Sequence, residues 1–386
     1  MKKNLAISLL AIAMLSISCA KERKVVSKTI VEPTCFSEGY TEYRCDDGYV
    51  YRDSFTSPIS HSYQNVEIGG EEGVIYEVCE RCGHLKIEYD TSEISTEVVI
   101  NPDRVRPSFV DHKVLACSMI LERTPDDAIR AMRKAEKHGA HAFMVYVTAL
   151  DQVYWTLHDF QRVFQCVDEP VLSIAYSVST YEPRNLSYVE MENLLRLSVE
   201  AGASAIDYQS FMHSEFGTNS TSEHATYRPS WEEKGLDMSF VDTSPKEINL
   251  NPTVLARQKT FIEEIQGMGA SVLYSCHAGV EMNSTQAVAL AKYMQYQGID
   301  VAKIVLGGSS KESVIEHLKA IKICSDEMDI KFSIHGQSTL SRLMGPMFGS
   351  YIAFCVDTYT EKETNIQIDL ATMIAILESP ELSGNA

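Results

Sequence analysis

Two neighbouring apolar segments, 271-SVLYSCH-277 and 301-VAKIVL-306, decide the fold together with the stretch between them. Each segment has the length of a buried strand, and residues 285–297 between them have the apolar spacing of a helix. A strand, a helix and a second strand in this order predict a parallel βαβ unit whose strands are covered on both faces. The same alternation continues on both sides of this pair.

Eight strand-length apolar runs alternate with amphipathic helices over residues 112–379. The predicted strands are Val114–Ile120, Ala142–Val147, Val171–Tyr176, Ser204–Gln209, Ser271–His277, Val301–Leu306, Phe332–His335 and Tyr351–Val356. An open doubly wound sheet normally has a glycine-rich phosphate turn after its first strand, and Met119–Thr124 contains no glycine. The pattern therefore predicts an α/β fold, a (β/α)8 TIM barrel, in which the catalytic groups lie at the carboxyl ends of the strands.

The composition excludes several classes of protein. The 386 residues are 45% hydrophobic and 23% charged, which is ordinary for a globular protein. With 53 acidic residues against 34 basic ones, the formal net charge is −19. So acidic a chain lacks the basic surface of a non-specific nucleic-acid binder, and we expect no nucleic-acid partner.

Residues 1–19 have the pattern of a signal peptide. Lys2 and Lys3 precede an apolar run from Leu5 to Ile17, and the run ends before Cys19. The segment resembles a bacterial lipoprotein signal, which implies that Cys19 is lipidated and becomes the mature N-terminus; the alternative is simple cleavage and secretion. We expect an exported protein of the bacterial cell envelope, held at the membrane by this lipid anchor.

Residues 25–95 differ from the rest, because they lack a helical apolar stripe and contain short alternating segments typical of strands. We predict a small Cys-containing β-rich domain that precedes the barrel and serves as a spacer or docking module. Its four cysteines are Cys35, Cys45, Cys79 and Cys82. A structural zinc site, disulfides and free thiols all remain open for them, since a lone CxxC motif is a modest signal.

Two side chains at the predicted strand ends carry chemistry. His277 ends the fifth strand, and Lys303 lies within the apolar sixth strand. Burial disfavours a charged lysine and frees its amine to attack a ketone, while a nearby histidine can move protons at neutral pH. The alternative is that Lys303 reaches the barrel mouth or pairs with a carboxylate.

Residues 112–379 resemble a type I 3-dehydroquinate dehydratase, most densely from Ser271 to Leu377. The similar segments are Arg123–Ala128, Ser275–His277, Ala302–Leu306, Ser341–Leu343 and Phe348–Ser350, and their spacing also agrees. The resemblance implies that Lys303 forms a Schiff base with the ring ketone, that His277 is the acid and base, and that Arg342 binds the substrate carboxylate. It implies dehydration of 3-dehydroquinate to 3-dehydroshikimate, with no metal or organic cofactor in catalysis.

Other positions of that family's site are replaced here by less charged residues. Its Glu and Arg of the second strand fall on Met144–Tyr146, and its third strand, which ends in Arg with a histidine-orienting Glu shortly after, ends here at Tyr176. The acidic position of strand four is Gln209, and the late closing loop, Asp357–Thr364, lacks the family's Pro-Gly-Gln. We expect Tyr146, Tyr176 and Gln209 to contact the substrate beside Arg342, which favours a related cyclic keto acid as an alternative substrate.

Residues 212–250 form a polar insertion after the fourth strand, on the catalytic face of the predicted barrel. We expect a surface excursion here, with a lid or a part of the substrate site as the alternatives.

The sequence thus predicts a Schiff-base hydro-lyase acting on a small keto acid. Two alternatives remain open: a non-catalytic, surface-anchored barrel that binds a ligand, and a lysine-dependent aldolase-type lyase, since the same iminium supports cleavage of a carbon–carbon bond. A homodimer is a further expectation.

Overall fold

The structure, a computed structural model, describes residues 24–34, 39–46, 50–56, 59, 62–67, 75–81, 85–86, 94–176, 186–357 and 367–379. The chain divides into two compact units, residues 1–89 and 90–386. Across the described ranges, no helix combines the length and the apolar character that crossing a membrane requires. The signal segment with Cys19 lies outside the described residues, so its lipidation stays a prediction.

The first unit is built from two antiparallel sheets of three strands each. Their strands are β1 (Val25–Val31), β2 (Gly39–Cys45) and β3 (Val50–Thr56), then β4 (Tyr63–Glu67), β5 (Ile75–Cys79) and β6 (Leu85–Lys86). This confirms the prediction of a small β-rich domain before the barrel.

Two of the four cysteines of this unit, Cys45 and Cys79, are buried at the ends of β2 and β5. The other two, Cys35 and Cys82, lie outside the described residues, so the choice among zinc, disulfides and free thiols stays open. Among the side chains that are described, no group of three or more His, Cys, Asp or Glu is placed to hold a metal ion.

The second unit contains the predicted (β/α)8 barrel. Its eight parallel strands are β7 (Leu115–Ile120), β8 (Ala142–Tyr146), β9 (Val171–Ile174), β10 (Ala205–Gln209), β11 (Ser271–His277), β12 (Val301–Val305), β13 (Lys331–His335) and β14 (Ile352–Val356). A short strand, β15 (Ile368–Asp369), pairs with the carboxyl end of β14. The predicted strand bounds agree to within two residues, because buried parallel strands are continuous apolar runs that a sequence shows clearly.

Helices follow these strands along the chain. They are α1 (Pro125–Lys137), α2 (Leu157–Phe164), α3 (Tyr188–Ala201), α4 (Thr221–Glu232), α5 (Pro252–Gly267), α6 (Ser284–Gln295), α7 (Lys311–Glu327), α8 (Thr339–Met344) and α9 (Leu370–Leu377). Helix α1 begins as the sequence predicts, since the Thr124 side chain accepts a hydrogen bond from the Asp127 backbone N–H and Pro125 is the first helical residue.

The barrel closes between β13 and β14. β14 pairs in parallel with β7, and the Tyr351 backbone N–H donates to the Phe332 carbonyl oxygen at 2.7 Å across the remaining gap. The Ser333 hydroxyl adds a bond to the Ile352 carbonyl at 3.3 Å. Closure fixes which face of each strand is interior, because successive side chains of a strand point to opposite faces.

Alternate residues of β11 and β12 point into the barrel. Leu273 and Val301 pack in the interior apolar cluster, whereas Cys276 and Ile304 pack in the cluster between the strands and the helices. Ser275 and His277 share the face of Leu273, and Lys303 shares that of Val301. The two chemistry-bearing side chains therefore both face the barrel interior.

Candidate active site

Lys303 and His277 lie on neighbouring strands at the carboxyl end of the barrel, which we call the mouth. In the parallel pairing of β11 with β12, Lys303 is opposite Ser275 and Val305 is opposite His277. His277 is therefore one inward-facing layer closer to the mouth than Lys303. A rise of about 3.3 Å per residue and a strand spacing of about 4.8 Å put their Cα atoms about 8 Å apart. A small molecule between the side chains can reach both.

The Lys303 amine is held by a buried carboxylate that the sequence analysis did not single out. Lys303 Nζ donates to Asp207 Oδ2 at 2.8 Å, and the two side chains are 5% and 0% exposed. The other oxygen of Asp207 accepts from the Ser275 hydroxyl and from Gln209 Nε2. The structure therefore contains the ion pair between Lys303 and a carboxylate that the sequence analysis gave as an alternative.

A sequence signal for Asp207 existed. It is an acidic residue inside the apolar strand β10, and it lies two positions before Gln209, so both face the same side. A charged group buried in such a strand needs a partner of opposite charge. Lys303 is that partner, on β12, which is two strands along the sheet from β10.

His277 is oriented by Glu247, which the sequence analysis also missed. Glu247 Oε2 accepts from His277 Nδ1 at 2.7 Å and from the His277 backbone N–H at 3.2 Å. Because a carboxylate only accepts, Nδ1 is the donor and Nε2 is left to exchange a proton with a bound molecule. A histidine whose other nitrogen is fixed in this way can serve as a general acid or base.

Tyr176 completes this group. Its hydroxyl donates to Glu247 Oε1 at 2.6 Å, and its ring lies 5.2 Å from the His277 ring. Burial, reinforced by the negative charge of Glu247, raises the pKa of Tyr176 above its usual range, so the phenol stays protonated and keeps donating. Tyr176, predicted as a substrate contact, is engaged here in holding Glu247.

Glu247 belongs to the 212–250 insertion, which is folded into the barrel rather than lying over its surface. The segment 246–250 is anchored on both sides: the Lys246 N–H donates to the Ala278 carbonyl at 2.8 Å, and the Glu247 N–H to the Thr218 carbonyl at 3.0 Å. Glu247 has a φ of 54°, a left-handed conformation that non-glycine residues adopt only where their surroundings impose it.

Side chains of the insertion bind the backbone that follows Glu247. Trp231 Nε1 donates to the Leu250 carbonyl at 2.8 Å, and His224 Nε2 bonds to the Ile248 carbonyl at 3.0 Å. Both side chains are buried. The expectation of a surface excursion was wrong, because these apolar and hydrogen-bonding contacts tie the insertion to the site.

Arg342 lies on helix α8, after the end of β13. Its Nη1 donates to Gln367 Oε1 at 3.0 Å, immediately before β15. The predicted closing loop ends at Thr364, so Gln367 was not among the predicted site residues, and residues 358–366 lie outside the described part of the chain. The guanidinium is thereby held near the mouth, as a carboxylate-binding residue requires.

The remaining predicted contacts fall on the same strands. Tyr146 ends β8 and is half-buried, and its phenol lies near the phenol of Tyr176. Gln209 ends β10 and is fully buried, and its Nε2 also donates to the Asp207 carbonyl at 2.8 Å. Gln209 therefore supports Asp207, and its Oε1 has no hydrogen-bond partner among the described residues.

The comparisons with known proteins agree with the barrel fold. Residues 240–383 match the family model of type I 3-dehydroquinase. The type I 3-dehydroquinate dehydratase of Clostridium difficile is 16% identical with a TM-score of 0.52, and the match covers 71% of this chain and 95% of that one. The 3-dehydroquinate dehydratase of Geobacillus kaustophilus is 15% identical with a TM-score of 0.51, and the match covers 69% of this chain and 92% of that one. No curated protein matches the sequence.

The fold and the site thus define a (β/α)8 barrel with an interior lysine and a carboxylate-oriented histidine. The resemblance to type I 3-dehydroquinate dehydratases is confirmed. The matched segment contains Glu247, His277, Lys303 and Arg342, whereas Asp207 and Tyr176 lie before it. At this identity the solved structures show a shared fold.

Proposed function

We propose that this protein is a Schiff-base hydro-lyase that dehydrates 3-dehydroquinate or a related cyclic keto acid. The observation that carries the proposal is the placement of Lys303 and His277 on adjacent strands, both facing the interior, each with its own buried carboxylate. Iminium chemistry with proton transfer requires an amine as the nucleophile and an imidazole as the acid and base, and here each of them has its own carboxylate partner.

The first step is formation of the iminium. The Lys303 ammonium gives a proton to Asp207, 2.8 Å away, and the free amine adds to the ring ketone. Loss of the carbonyl oxygen as water leaves a carbon–nitrogen double bond. Asp207 passes that proton to the leaving oxygen, and a second proton from the nitrogen completes the water.

The second step is the elimination. His277 Nε2 removes a proton from the carbon next to the iminium, and the electron pair forms an enamine. The enamine expels the β-hydroxyl, which leaves as water with the proton held by His277. Hydrolysis of the product iminium restores the Lys303 amine, so the net change is the loss of one water from the substrate.

Substrate binding follows from the charges that remain. Arg342 binds the carboxylate, since its planar guanidinium suits two oxygens. Tyr146 and the Tyr176–Glu247 pair line the opposite side, where the resembling family has charged residues. The smaller number of charged contacts supports a substrate with fewer polar substituents than a polyhydroxy acid.

A second candidate function, a non-catalytic ligand-binding barrel, is favoured by one observation. The Lys303–Asp207 pair is complete without a ligand, because every oxygen of the carboxylate already has a donor. In that case the pair would stabilise the charged lysine and no adduct would form. An aldolase-type lyase would form the adduct but cleave a carbon–carbon bond.

Trapping with borohydride separates these functions. The protein is offered 3-dehydroquinate and comenic acid, the compound that is covalently attached in the Clostridium difficile dehydratase structure. We expect a reduced mass adduct on Lys303 and an absorbing enone product, both abolished in Lys303→Ala and both unchanged in Lys331→Ala, which replaces a half-buried lysine at the other end of the barrel. Ligand binding without an adduct would favour the non-catalytic binding barrel. An adduct accompanied by cleavage of a carbon–carbon bond would favour the aldolase-type lyase.

We further propose that the protein acts outside the cytoplasm, anchored by a lipid on Cys19, with small keto acids as its ligands and no catalytic cofactor. A structural zinc in the first unit and a homodimer belong to the same proposal. Metabolic labelling with a fatty acid, compared between the natural chain and Cys19→Ala, tests the anchor.

A further inference from the structure

A second histidine, His335, faces the barrel interior at the mouth and has no part in the proposed reaction. It is the last residue of β13 and shares the interior face of Ser333, whereas Phe332 and Ile334 pack toward the helices. The pairing of β12 with β13 puts His335 opposite Val305, which is itself opposite His277. His335 and His277 are therefore in the same layer, two strands or about 10 Å apart.

The ring of His335 is buried without hydrogen-bond partners. The residue is 6% exposed, and in the described part of the chain neither ring nitrogen makes a hydrogen bond of good geometry. The adjoining Gly336 backbone and the charges of Arg342 and Lys303 act on the ring electrostatically. The ring packs edge-on against Phe354, with centroids 5.8 Å apart. A buried polar group normally has a partner, so this site is incomplete as it stands.

His335 and Arg342 line one small cavity. Its volume is about 10 Å³, and Phe354, Ser350 and Ala353 contribute to its wall. A space of about this size holds one oxygen atom with its hydrogens, that is, one water or one oxygen of a ligand. The cavity thus joins an unpartnered imidazole to the guanidinium already assigned to a carboxylate.

A buried histidine ring without hydrogen-bond partners does not by itself indicate a binding site, as His317 shows. This histidine of α7 is also buried with neither nitrogen hydrogen-bonded in the described structure, but it packs against Gly336 from outside the barrel. Among the described histidines, only His335 combines such a ring with the interior face, the mouth layer and a cavity shared with Arg342. His317 is therefore a matched control.

The charges around His335 keep its ring neutral. Burial lowers the pKa of His335 well below its usual range, and the positive charges of Arg342 and Lys303 lower it further. A neutral imidazole has one N–H donor and one acceptor. Next to a carboxylate held by a guanidinium, the donor is the useful group.

We propose that His335 is a substrate-binding residue, which donates a hydrogen bond to one oxygen of the carboxylate bound by Arg342. This inference rests on the proposed function for the identity of the ligand as a keto acid. It assigns to the chain a carboxylate subsite made of two residues, Arg342 from α8 and His335 from β13.

The experiment measures binding of comenic acid and of the same ring without its carboxylate, by calorimetry, to the intact protein and to His335→Met. A hydrogen bond to a charged group predicts that the substitution weakens binding of the acid about 10- to 100-fold. The carboxylate-free ring should bind His335→Met within about 3-fold of the natural protein. His335→Asn, which retains a donor, should recover part of the affinity for the acid.

His317→Met serves as the control for loss of a buried histidine, and it should leave both affinities unchanged. Equal weakening of both ligands in His335→Met, or unchanged binding of the acid, overturns the proposal. Failure of the proposed function gives a different result. In that case Lys303 forms no borohydride adduct, but His335→Met still weakens binding of the acid more than binding of the carboxylate-free ring. A thermal unfolding scan of each variant shows whether the substitution has merely unfolded the barrel.

Discussion

The two halves of the mouth, β8–β10 with the insertion and β11–β14 with α8, differ in how their chemistry is arranged along the chain. In the second half, His277, Lys303 and Arg342 follow one another on successive parts of the barrel, and the match to the type I 3-dehydroquinase model covers them. In the first half the resemblance predicts that charged residues of that family are replaced, and a carboxylate still reaches His277. This carboxylate is Glu247, which lies after β10.

The comparison shows that the carboxylate that orients His277 comes from a segment 30 residues away along the chain. The histidine needs an acceptor at Nδ1, and any loop at the mouth can provide one if its backbone is held rigidly. Here the insertion has this rigidity, from Trp231, His224 and the pairing of Lys246 with Ala278. The following predictions test whether the two halves form one working site.

The largest effect is expected at the pair that joins the halves, Asp207 on β10 and Lys303 on β12. Asp207→Asn leaves a buried ammonium without its counter-charge, so we expect a loss of about 3–5 kcal/mol in the free energy of unfolding, measured with urea. The double variant Asp207→Leu with Lys303→Met removes both charges and should regain most of that loss. A loss below about 1 kcal/mol in Asp207→Asn would mean that the pair is not buried in solution.

A smaller effect is expected for the positioning residue of the rebuilt half. Glu247→Gln keeps the size of the side chain but weakens its hold on His277, so kcat with the keto acid that Lys303 accepts should fall about 10- to 100-fold while KM changes little. Glu247→Asp, which keeps the charge, should recover part of the rate.

Glu232→Gln is the matched control for Glu247→Gln, because it removes the same charge from an exposed position of the same insertion. It should leave kcat unchanged. Equal losses in the two variants, or an increase in KM alone, would show that Glu247 acts on the structure or on binding and does not position His277.

The smallest effect is expected at the end of the barrel opposite the mouth. It separates the pH dependence of folding stability from the pH dependence of catalysis at the mouth. Burial, together with a hydrogen bond to the Glu169 carboxyl, raises the pKa of Glu136 to about 7 from an ordinary 4.5. A folded-state pKa above the unfolded one means that the stabilisation is complete below pH 4.5 and is lost as the pH rises through 7.

Glu136→Gln should therefore flatten the dependence of the urea midpoint on pH between about 5 and 8, and Glu169→Gln should do the same because the two carboxyls share the proton. The effect is modest, since Glu136 is only half-buried. An unchanged slope in both variants would show that the pKa of Glu136 is ordinary. Any pH dependence of kcat that survives in these variants then belongs to the mouth.

The sequence by itself determined the barrel and the half of the site on β11, β12 and α8. Buried parallel strands are continuous apolar runs, so Lys303 in such a run and His277 at the end of another are conspicuous, and strand alternation places both inside. The same alternation could have revealed Asp207, which lies two residues before Gln209.

Only the tertiary structure decided the partners of these groups. Glu247 is one acidic residue among many in a polar insertion, and 30 residues separate it from His277. No spacing rule connects them, because the contact is made when β11 and the loop after β10 meet at the mouth. Likewise, nothing in the sequence distinguishes His335 from other residues of a strand. Its burial and its position near Arg342 in the barrel interior exist only in the folded chain.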